Sequence, residues 1–323
     1  MRSAAAGAQA ATPRPTRLAD GERGAADTGR ANGRSRHLGG PARALPLRHA
    51  VALGLLQGPT ELLPVSSSAH TTLVPWLAGW PYAQLDGGRR KSFEVALHAG
   101  AGLALAIHMR GELLRELAHI DARHASVIAL SVGPPALAGY ALQRPIERWL
   151  GGPRSIGAGL AAGALAMALG DVRAARRRSG SEREQEDARA GDGLALGLAQ
   201  AVALMPGVSR SGATLTALRA RGFSRGAAQS LSWHAGLPVM LGASALKGMR
   251  MRRGGVPREE RAALALGVGG AFVSTLAAAR TLSLRGHAQR SLLPYALYRC
   301  LLAALVLARL RRRATANPSQ IYK

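Results

Sequence analysis

ALGLLQGPTELLPVSSSAHT, at residues 52–71, recurs without a gap as ALGLAQAVALMPGVSRSGAT, at residues 195–214. Nine positions of the segment are identical, and a repeat of this length indicates that the two halves of the chain share one structural unit. Each copy is an apolar run that breaks at Pro or Gly and then presents a cluster of serines. In a bilayer, such a break is tolerated where it lines a cavity. The two breaks therefore predict one shared polar site.

Apolar segments of about 20 residues, the length that crosses hydrocarbon, recur throughout the chain beyond residue 47. A large soluble helical bundle is the alternative, but its helices would carry a charged face at helical period, which these segments mostly lack. We therefore expect an all-α, polytopic membrane protein. Its six predicted spans are residues 93–109, 125–142, 155–170, 227–246, 262–279 and 292–310.

The predicted organisation is one membrane domain, residues 48–310, between two basic tails, residues 1–47 and 311–323. The first tail is rich in Ala, Arg, Gly and Pro without any period, so we expect it to be disordered. An organelle transit peptide is the less favoured interpretation, because Gly and Pro are too frequent for an amphipathic helix.

Two repeats make up this domain, namely repeat one at residues 48–170 and repeat two at residues 193–310, joined by a charged loop at residues 171–192. Each repeat combines a hairpin too short to cross the membrane, and therefore predicted to be re-entrant, with three spans. Because three is an odd number, the second repeat would enter the membrane from the opposite side. The two repeats are therefore predicted to be inverted.

The net charge of +25 arises from 43 Lys and Arg against 18 Asp and Glu. So basic a chain raises nucleic acid as a partner, but its arginines lie in tails and loops, and no motif that reads nucleic acid accompanies them. The membrane surface and anionic lipid headgroups explain the charge better. Because arginines occur in both sets of loops, charge does not fix the orientation.

The first break carries Glu61, Ser66, Ser67, Ser68 and His70 beside apolar neighbours. A carboxylate buried there without a partner would cost several kcal/mol, so a cation, a metal or a proton should accompany it. The alternative is a purely structural role, in which the serines after Pro64 cap the next helix. Capping and function can coexist at this position.

The second break reads PGVSRSGAT at residues 206–214. Arg210 between two serines and near glycines suits a phosphate, because the guanidinium donates in a fork, the hydroxyls donate singly and a helix start adds backbone N–H groups. An exposed turn with a solvated Arg is the alternative. Together the two clusters predict an anionic, phosphate-bearing ligand with an apolar body, such as a lipid phosphate.

QGPTELLPVSSSAH and PGVSRSGAT resemble the two signature motifs of the undecaprenyl-diphosphate phosphatase family, the bacitracin-resistance proteins of bacterial cell envelopes. SFEVALHAGAGLALAIHMR, LPVMLGAS and PYALYR are similar to that family too, so the resemblance extends over residues 48–310. It implies a multi-pass enzyme of the bacterial cell membrane that hydrolyses undecaprenyl diphosphate to undecaprenyl phosphate and inorganic phosphate. The reaction, expected on the extracytoplasmic side, recycles the lipid carrier for peptidoglycan synthesis and confers bacitracin resistance.

The resemblance also implies roles for individual residues. Glu61 is the motif carboxylate, implicated in activity and in holding a divalent cation, Mg²⁺ or Ca²⁺. His70 is the candidate base or nucleophile and Ser67 matches the motif serine, which leaves the attacking group open between them. Arg210 would neutralise charge on the diphosphate in the transition state. Further contacts to the diphosphate are expected from the hydroxyl groups of Ser66, Ser68, Ser209, Ser211 and Thr214.

One departure from the family pattern concerns the metal. Some members carry a second glutamate where this chain has Gln57, so a site of two carboxylates is not available, and Glu94 could compensate. His98 and His234 each begin the string His-Ala-Gly in corresponding spans of the two repeats, and both are expected to support the site through interhelix hydrogen bonds. Arg299 is expected either to snorkel to the membrane surface or to contact phosphate.

Two other functions are compatible with parts of the sequence. A transporter or flippase of undecaprenyl phosphate would use the same pocket, because inverted repeats are a recurrent plan of secondary carriers. A purely structural membrane anchor would leave the paired polar breaks unexplained. The sequence does not decide which metal is used, whether a covalent intermediate forms or which oligomer exists, and a homodimer is compatible with it.

Overall fold

The computed structural model describes residues 45–85, 87–176, 182–255, 257–284 and 291–316. Residues 1–44 of the predicted first tail and 317–323 of the second lie outside these ranges, as do residues 177–181 of the predicted loop. Eleven α-helices are found in the described parts. They are α1 Leu47–Leu62, α2 Ser67–Ala78, α3 Gly87–His108, α4 Arg110–Ala118, α5 Ala122–Trp149, α6 Pro153–Ala175, α7 Ala190–Val202, α8 Arg210–Ala220, α9 Arg225–Gly254, α10 Arg258–Leu284 and α11 Leu293–Ala316.

Both copies of the repeated segment form a helix, a break and a second helix. In the first copy, α1 has 16 residues and α2 has 12. In the second copy, α7 has 13 residues and α8 has 11. Each of these helices is shorter than the roughly 20 residues that a membrane span needs. The break of each hairpin therefore lies inside the protein, where other elements can satisfy its backbone.

Four of the described helices are long and apolar enough to cross a membrane, with their spanning parts at Ala122–Leu142, Pro153–Ala175, Arg258–Leu282 and Leu293–Arg313. A fifth span is formed if α3 and α4, which meet at a bend of 69°, are taken together. The prediction of an all-α, polytopic membrane protein is thus confirmed.

Helix α9 contains the fourth predicted span, residues 227–246, and it differs from the other five. It has 30 residues, which is long enough to cross a bilayer, but it does not reach their hydropathy. The reason lies in its polar side chains, among them Gln229, Ser230, Ser232 and His234, several of which face other helices. Helix α9 contributes polar groups to the protein interior at the expense of its apolar character.

The two halves exchange their hairpin helices in a reciprocal way. Helix α1 of the first half packs mainly against α10 of the second, and α7 of the second half packs mainly against α5 of the first. Gly54 and Gly197, which occupy equivalent positions of the repeat, permit these contacts, because a Cβ at either would collide with the backbone of the partner helix. The inverted orientation of the halves across a membrane remains a prediction.

The predicted charged loop is anchored in its described part. Asp192, at the start of α7, is buried and accepts from both terminal nitrogens of Arg183, at 3.0 and 2.7 Å, and from Nε of Arg221. The backbone N–H of Arg189 completes the set at 2.9 Å. Burial opposes ionisation of Asp192, but the hydrogen bonds from Arg183 and Arg221 outweigh it and lower its pKa to about 2.

Asp192→Asn is expected to lower the free energy of unfolding by about 2 kcal/mol at neutral pH, between the values for exposed and for buried ion pairs. The pKa of Asp192 is about 2 in the folded protein, whereas the ordinary value of 3.8 applies to the unfolded chain. The stabilisation of wild type is therefore fully present above pH 3.8 and is lost as the pH falls towards 2. Thermal unfolding in detergent at several pH values measures the difference. Glu186→Gln, at an exposed side chain, is the control, and an equal loss in both variants would contradict the prediction.

Candidate active site

The two breaks meet in the interior, which brings together residues 149 positions apart in the sequence. Nη2 of Arg210 donates to Oε1 of Glu61 at 3.2 Å. A second link joins the same breaks, because the Ser211 hydroxyl donates to the backbone carbonyl of Leu63, also at 3.2 Å. The convergence of the two motifs, on which the shared site depends, is therefore confirmed.

Glu61 lies at the centre of this site and is buried. Its Oε2 accepts from the hydroxyl of Ser67 at 2.6 Å and from Nε2 of Gln57, one helical turn earlier, at 3.2 Å. Nε2 of His98, on α3, lies 3.3 Å from the same oxygen. Helices α1, α2, α3 and α8 thus all contribute to the surroundings of one carboxylate. Arg210 supplies the positive charge that a buried carboxylate requires.

Ser67 is the first residue of α2, and the backbone before it is strained. Ser66 has φ of 77°, the one positive φ outside glycine in the described ranges, and such conformations are held where the surroundings over-determine them. The turn directs the Ser67 hydroxyl towards Glu61, with Nε2 of His98 3.4 Å away on the other side. The Ser67 hydroxyl therefore lies at the start of α2 between a carboxylate and an imidazole ring.

His70 does not contact Glu61 or Ser67 through its ring. Its Nδ1 donates to the backbone carbonyl of Ser66 at 2.7 Å, so in the neutral ring Nε2 is the acceptor, and it accepts from the Tyr298 hydroxyl at 2.7 Å. The two rings are also stacked. Sequence reasoning missed Tyr298 as a site residue, although it lies in the string PYALYR, which drew attention only as a resemblance.

Arg210 begins α8 and lies between the carboxylate and α9. Its Nη1 donates to the backbone carbonyl of Ser232 at 3.2 Å, and a Cβ at Gly236 would overlap the guanidinium. The preceding Ser209 caps α8, because its hydroxyl accepts from the N–H of Gly212 at 3.1 Å. The guanidinium is thus held in place on both sides, and its side chain is 16% exposed.

The other predicted diphosphate ligands divide into two groups. The hydroxyls of Ser66 and Ser68 lie 3.4 Å apart in the first break, and those of Ser209 and Ser211 lie 3.1 Å apart in the second. These pairs border the breaks. Thr214 instead is buried, and its hydroxyl contacts that of Ser232 at 2.6 Å. In the structure, Thr214 fastens α8 to α9.

The repeat-related histidines share a backbone interaction but face different partners. Nδ1 of His98 donates to the carbonyl of Glu94 at 2.8 Å, and Nδ1 of His234 lies 2.9 Å from the carbonyl of Ser230. Nε2 of His98 faces the site, whereas Nε2 of His234 faces Glu116 of α4 at 3.5 Å. Only His98 belongs to the constellation around Glu61.

The geometry bears on two further expectations. The carboxylate of Glu94 pairs with Lys91 at 3.2 Å, so a compensating role beside Gln57 would require it to leave that partner. Arg299 is fully buried, so it does not snorkel, and its guanidinium donates to backbone carbonyls of both breaks. It contacts the backbone around the site.

A divalent cation has few protein ligands here. Across the described ranges, no three His, Cys, Asp or Glu side chains come together as a metal site. Gln57 nevertheless has a buried Oε1 for which the described residues provide no hydrogen-bond partner, and its Nε2 contacts Glu61. One carboxylate and one amide oxygen suit Mg²⁺ or Ca²⁺ when phosphate oxygens and water complete the coordination. The residues therefore fit a cation that is shared with a phosphate-bearing ligand.

Comparison with known proteins finds relatives that align with most of the chain. Three relatives share the name undecaprenyl-diphosphatase. The protein of Geobacter sulfurreducens is 38% identical over 83% of this chain and 100% of its own length. The protein of Geobacter metallireducens is 39% identical over 80% of this chain and 96% of its own length, and that of Pelobacter propionicus is 36% identical over 81% of this chain and 96% of its own length. Residues 50–305, which include both breaks, match the family described as bacitracin resistance protein BacA. The chain belongs to this BacA family.

Proposed function

We propose that this protein hydrolyses undecaprenyl diphosphate to undecaprenyl phosphate and inorganic phosphate. The observation that supports it best is the contact of Glu61 with both Ser67 and Arg210, because it places a nucleophile, a carboxylate and a guanidinium around one point. In a bacterial cell membrane, the reaction would recycle the lipid carrier for peptidoglycan synthesis and confer resistance to bacitracin. The membrane spans supply the apolar surroundings that a polyprenyl chain requires.

In the proposed reaction, Ser67 is the nucleophile. Its hydroxyl proton passes to Glu61 at 2.6 Å as Oγ forms a bond to the terminal phosphorus. The bond from that phosphorus to the bridging oxygen breaks, and undecaprenyl phosphate leaves with the electron pair. Water then attacks the phosphoserine and the P–Oγ bond breaks. Oγ of Ser67 regains the proton held by Glu61, and the proton lost by the water leaves with inorganic phosphate. His70 is less suited to attack, because Tyr298 occupies its Nε2.

Charge on the transferred phosphoryl group is stabilised from the second break. The guanidinium of Arg210 would donate to the phosphate oxygens while it keeps its contact with Glu61, since phosphoryl transfer depends mainly on positioning and electrostatic stabilisation. The helix starts at Ser67 and Arg210 add backbone N–H groups that favour anions. Both halves of the repeat thereby contribute to binding one diphosphate.

A divalent cation is the proposed cofactor. Glu61 and Oε1 of Gln57 would hold Mg²⁺ or Ca²⁺ together with oxygens of the substrate. Such a cation neutralises negative charge on the diphosphate. His98 would orient Ser67 and Glu61 from α3. His70 would hold the backbone of the residue before Ser67, through its hydrogen bond to the Ser66 carbonyl. The resemblance to the family implies that the site lies on the extracytoplasmic side, and we adopt this as part of the proposal.

A lipid transporter or flippase is the second candidate, favoured by the reciprocal exchange of α1 and α7 between the halves. Such an exchange suits two halves that rock against each other around one site. The same Arg210 and serine groups would then bind undecaprenyl phosphate without any bond being broken.

Phosphate release from undecaprenyl diphosphate by the purified, detergent-solubilised protein separates the two functions. We expect release in the presence of Mg²⁺ or Ca²⁺, and its loss after chelation by EDTA with recovery when the cation is restored. Undiminished release in EDTA would contradict the proposed cofactor while leaving the hydrolase in place. Absence of release with either cation, together with movement of undecaprenyl phosphate across vesicles, would replace the hydrolase by the transporter.

A further inference from the structure

Arg299 places a positive charge within the membrane span of α11, Leu293–Arg313, and is fully buried. A charged side chain at such a depth is costly, and in membrane proteins it faces the protein interior and pairs with other charges or with backbone carbonyls. What its guanidinium contacts therefore indicates what the residue does.

The guanidinium of Arg299 joins the two breaks directly. Nη2 donates to the carbonyl of Gly207, in the second break, at 3.0 Å, and Nη1 lies 3.4 Å from the carbonyl of Pro64, in the first break. Nη2 also lies 3.4 Å from the carbonyl of Gly159 on α6, and Nη1 lies 3.1 Å from the sulfur of Met167. One side chain thus reaches both breaks and the helix behind them.

The breaks supply suitable acceptors because the carbonyls of Pro64 and Gly207 lie between the two helices of each hairpin, outside both helices. A backbone carbonyl is a strong hydrogen-bond acceptor that must be paired when it is buried, and the guanidinium donates to it. In a membrane interior, where water is scarce, such groups must find partners in the protein. Arg299 satisfies carbonyls of both breaks and receives their partial negative charge in return.

Two glycines form the walls of the slot that holds this guanidinium. A Cβ at Gly163 of α6 would overlap Nη2, and a Cβ at Gly212 of α8 would lie 2.9 Å from Nη1. The slot therefore fits Arg299 closely from two sides. This fit makes the position of the guanidinium, and with it the distance between the breaks, sensitive to one added methyl group.

We propose that Arg299 is a positioning residue that sets the distance between the two halves of the active site. Pro64 lies three residues before Ser67, and Gly207 lies three residues before Arg210. By holding both carbonyls, Arg299 fixes the nucleophile's break against the phosphate-binding break, without touching the substrate itself. The inference rests on the proposed function, because it assigns those two breaks to one diphosphate.

The test compares Arg299→Gln with Arg309→Gln, at an exposed arginine of the same helix, in purified full-length protein. We expect Arg299→Gln to lower kcat for phosphate release about 100-fold and to change KM much less. Small displacements of reacting groups have effects of this size on the rate. Hydrogen exchange should rise about tenfold in peptides covering residues 63–68 and 203–209, and stay unchanged in α10. Arg309→Gln should behave as wild type in both measurements.

Gly163→Ala provides an independent test, because it displaces the guanidinium while keeping the charge, and it decides the matter if Arg299→Gln does not fold. It should reproduce the selective rise in exchange at both breaks, whereas Gly242→Ala, in open space on α9, should not. Exchange and turnover in Gly163→Ala equal to those in Gly242→Ala would overturn the proposal. If wild type releases no phosphate, the proposed function fails, but the exchange in the two breaks still tests Arg299.

Discussion

Ser67→Ala is expected to lower kcat for phosphate release by about 10⁴-fold, because the hydroxyl that attacks phosphorus is removed while the surrounding charges remain. The residual rate would come from water activated by Glu61, with Arg210 still in place. KM should change much less than kcat, since Ser67 is one of several hydroxyl groups that border the breaks. Rates of phosphate release at several concentrations of undecaprenyl diphosphate separate the two parameters.

The matched control is Ser92→Ala on α3, where the hydroxyl bonds to its own helix at the carbonyl of Gly88 and lies on an exposed surface. It should retain the activity of wild type. A second measurement follows the phosphoserine: rapid acid quenching with substrate labelled in the terminal phosphate should trap label on wild type and not on Ser67→Ala. Turnover in Ser67→Ala within tenfold of wild type would show that a group other than Ser67 attacks.

Arg210→Ala is expected to lower kcat by about 10³-fold, the lower end of what a charge-stabilising arginine contributes to phosphoryl transfer. The substitution also leaves Glu61 buried without its cationic partner, which weakens the site further. Arg210→Lys should recover only part of the loss, because an ammonium group cannot donate in a fork to the carboxylate and the phosphate. The measurement is again phosphate release at saturating substrate.

Arg280→Ala, at an exposed arginine of α10, serves as the control for Arg210 and should leave turnover unchanged. Inorganic diphosphate, used as a competitive probe, should inhibit wild type more strongly than Arg210→Ala. Full activity of Arg210→Lys would contradict the proposal of a forked contact. Equal inhibition of wild type and Arg210→Ala by diphosphate would remove Arg210 from the binding site.

The sequence predicts the main features of this protein because the physical constraints are local. A break that leaves Glu61 and several serines in an apolar run requires partners, and the repeat indicates where those partners lie. The contact between Glu61 and Arg210 follows from that requirement. Apolar spans of sufficient length likewise predict a membrane protein, and the described helices agree.

Other features depend on contacts that no local pattern reveals. Tyr298 reaches His70 from 228 positions away, and this contact leaves His70 engaged on both ring nitrogens. Arg299 is adjacent to Tyr298 in the sequence, yet the burial of Arg299 against both breaks depends on glycines of α6 and α8. A charged residue near a span end is equally compatible with snorkelling, so only the packing distinguishes the two.

His98 and His234 show how a repeat can mislead. Both are expected to support the site because they share a string, and each does contact a carbonyl four residues earlier. Their other ring nitrogens differ, because His98 meets Glu61 and His234 meets carboxylates of α4. Position 61 has leucine as its counterpart at position 204, so the second half has no equivalent carboxylate. The repeated scaffold thus carries one active constellation.

The central claim is that Glu61 and Arg210 act on the same diphosphate, and a double-mutant cycle on kcat/KM tests it most directly. Glu61→Gln and Arg210→Ala should each lower kcat/KM for phosphate release by about 10³-fold. Because both changes disrupt one unit, the double variant should lie within about tenfold of the single variants. Losses that multiply to about 10⁶-fold would mean that the two residues act independently, and would contradict the shared site.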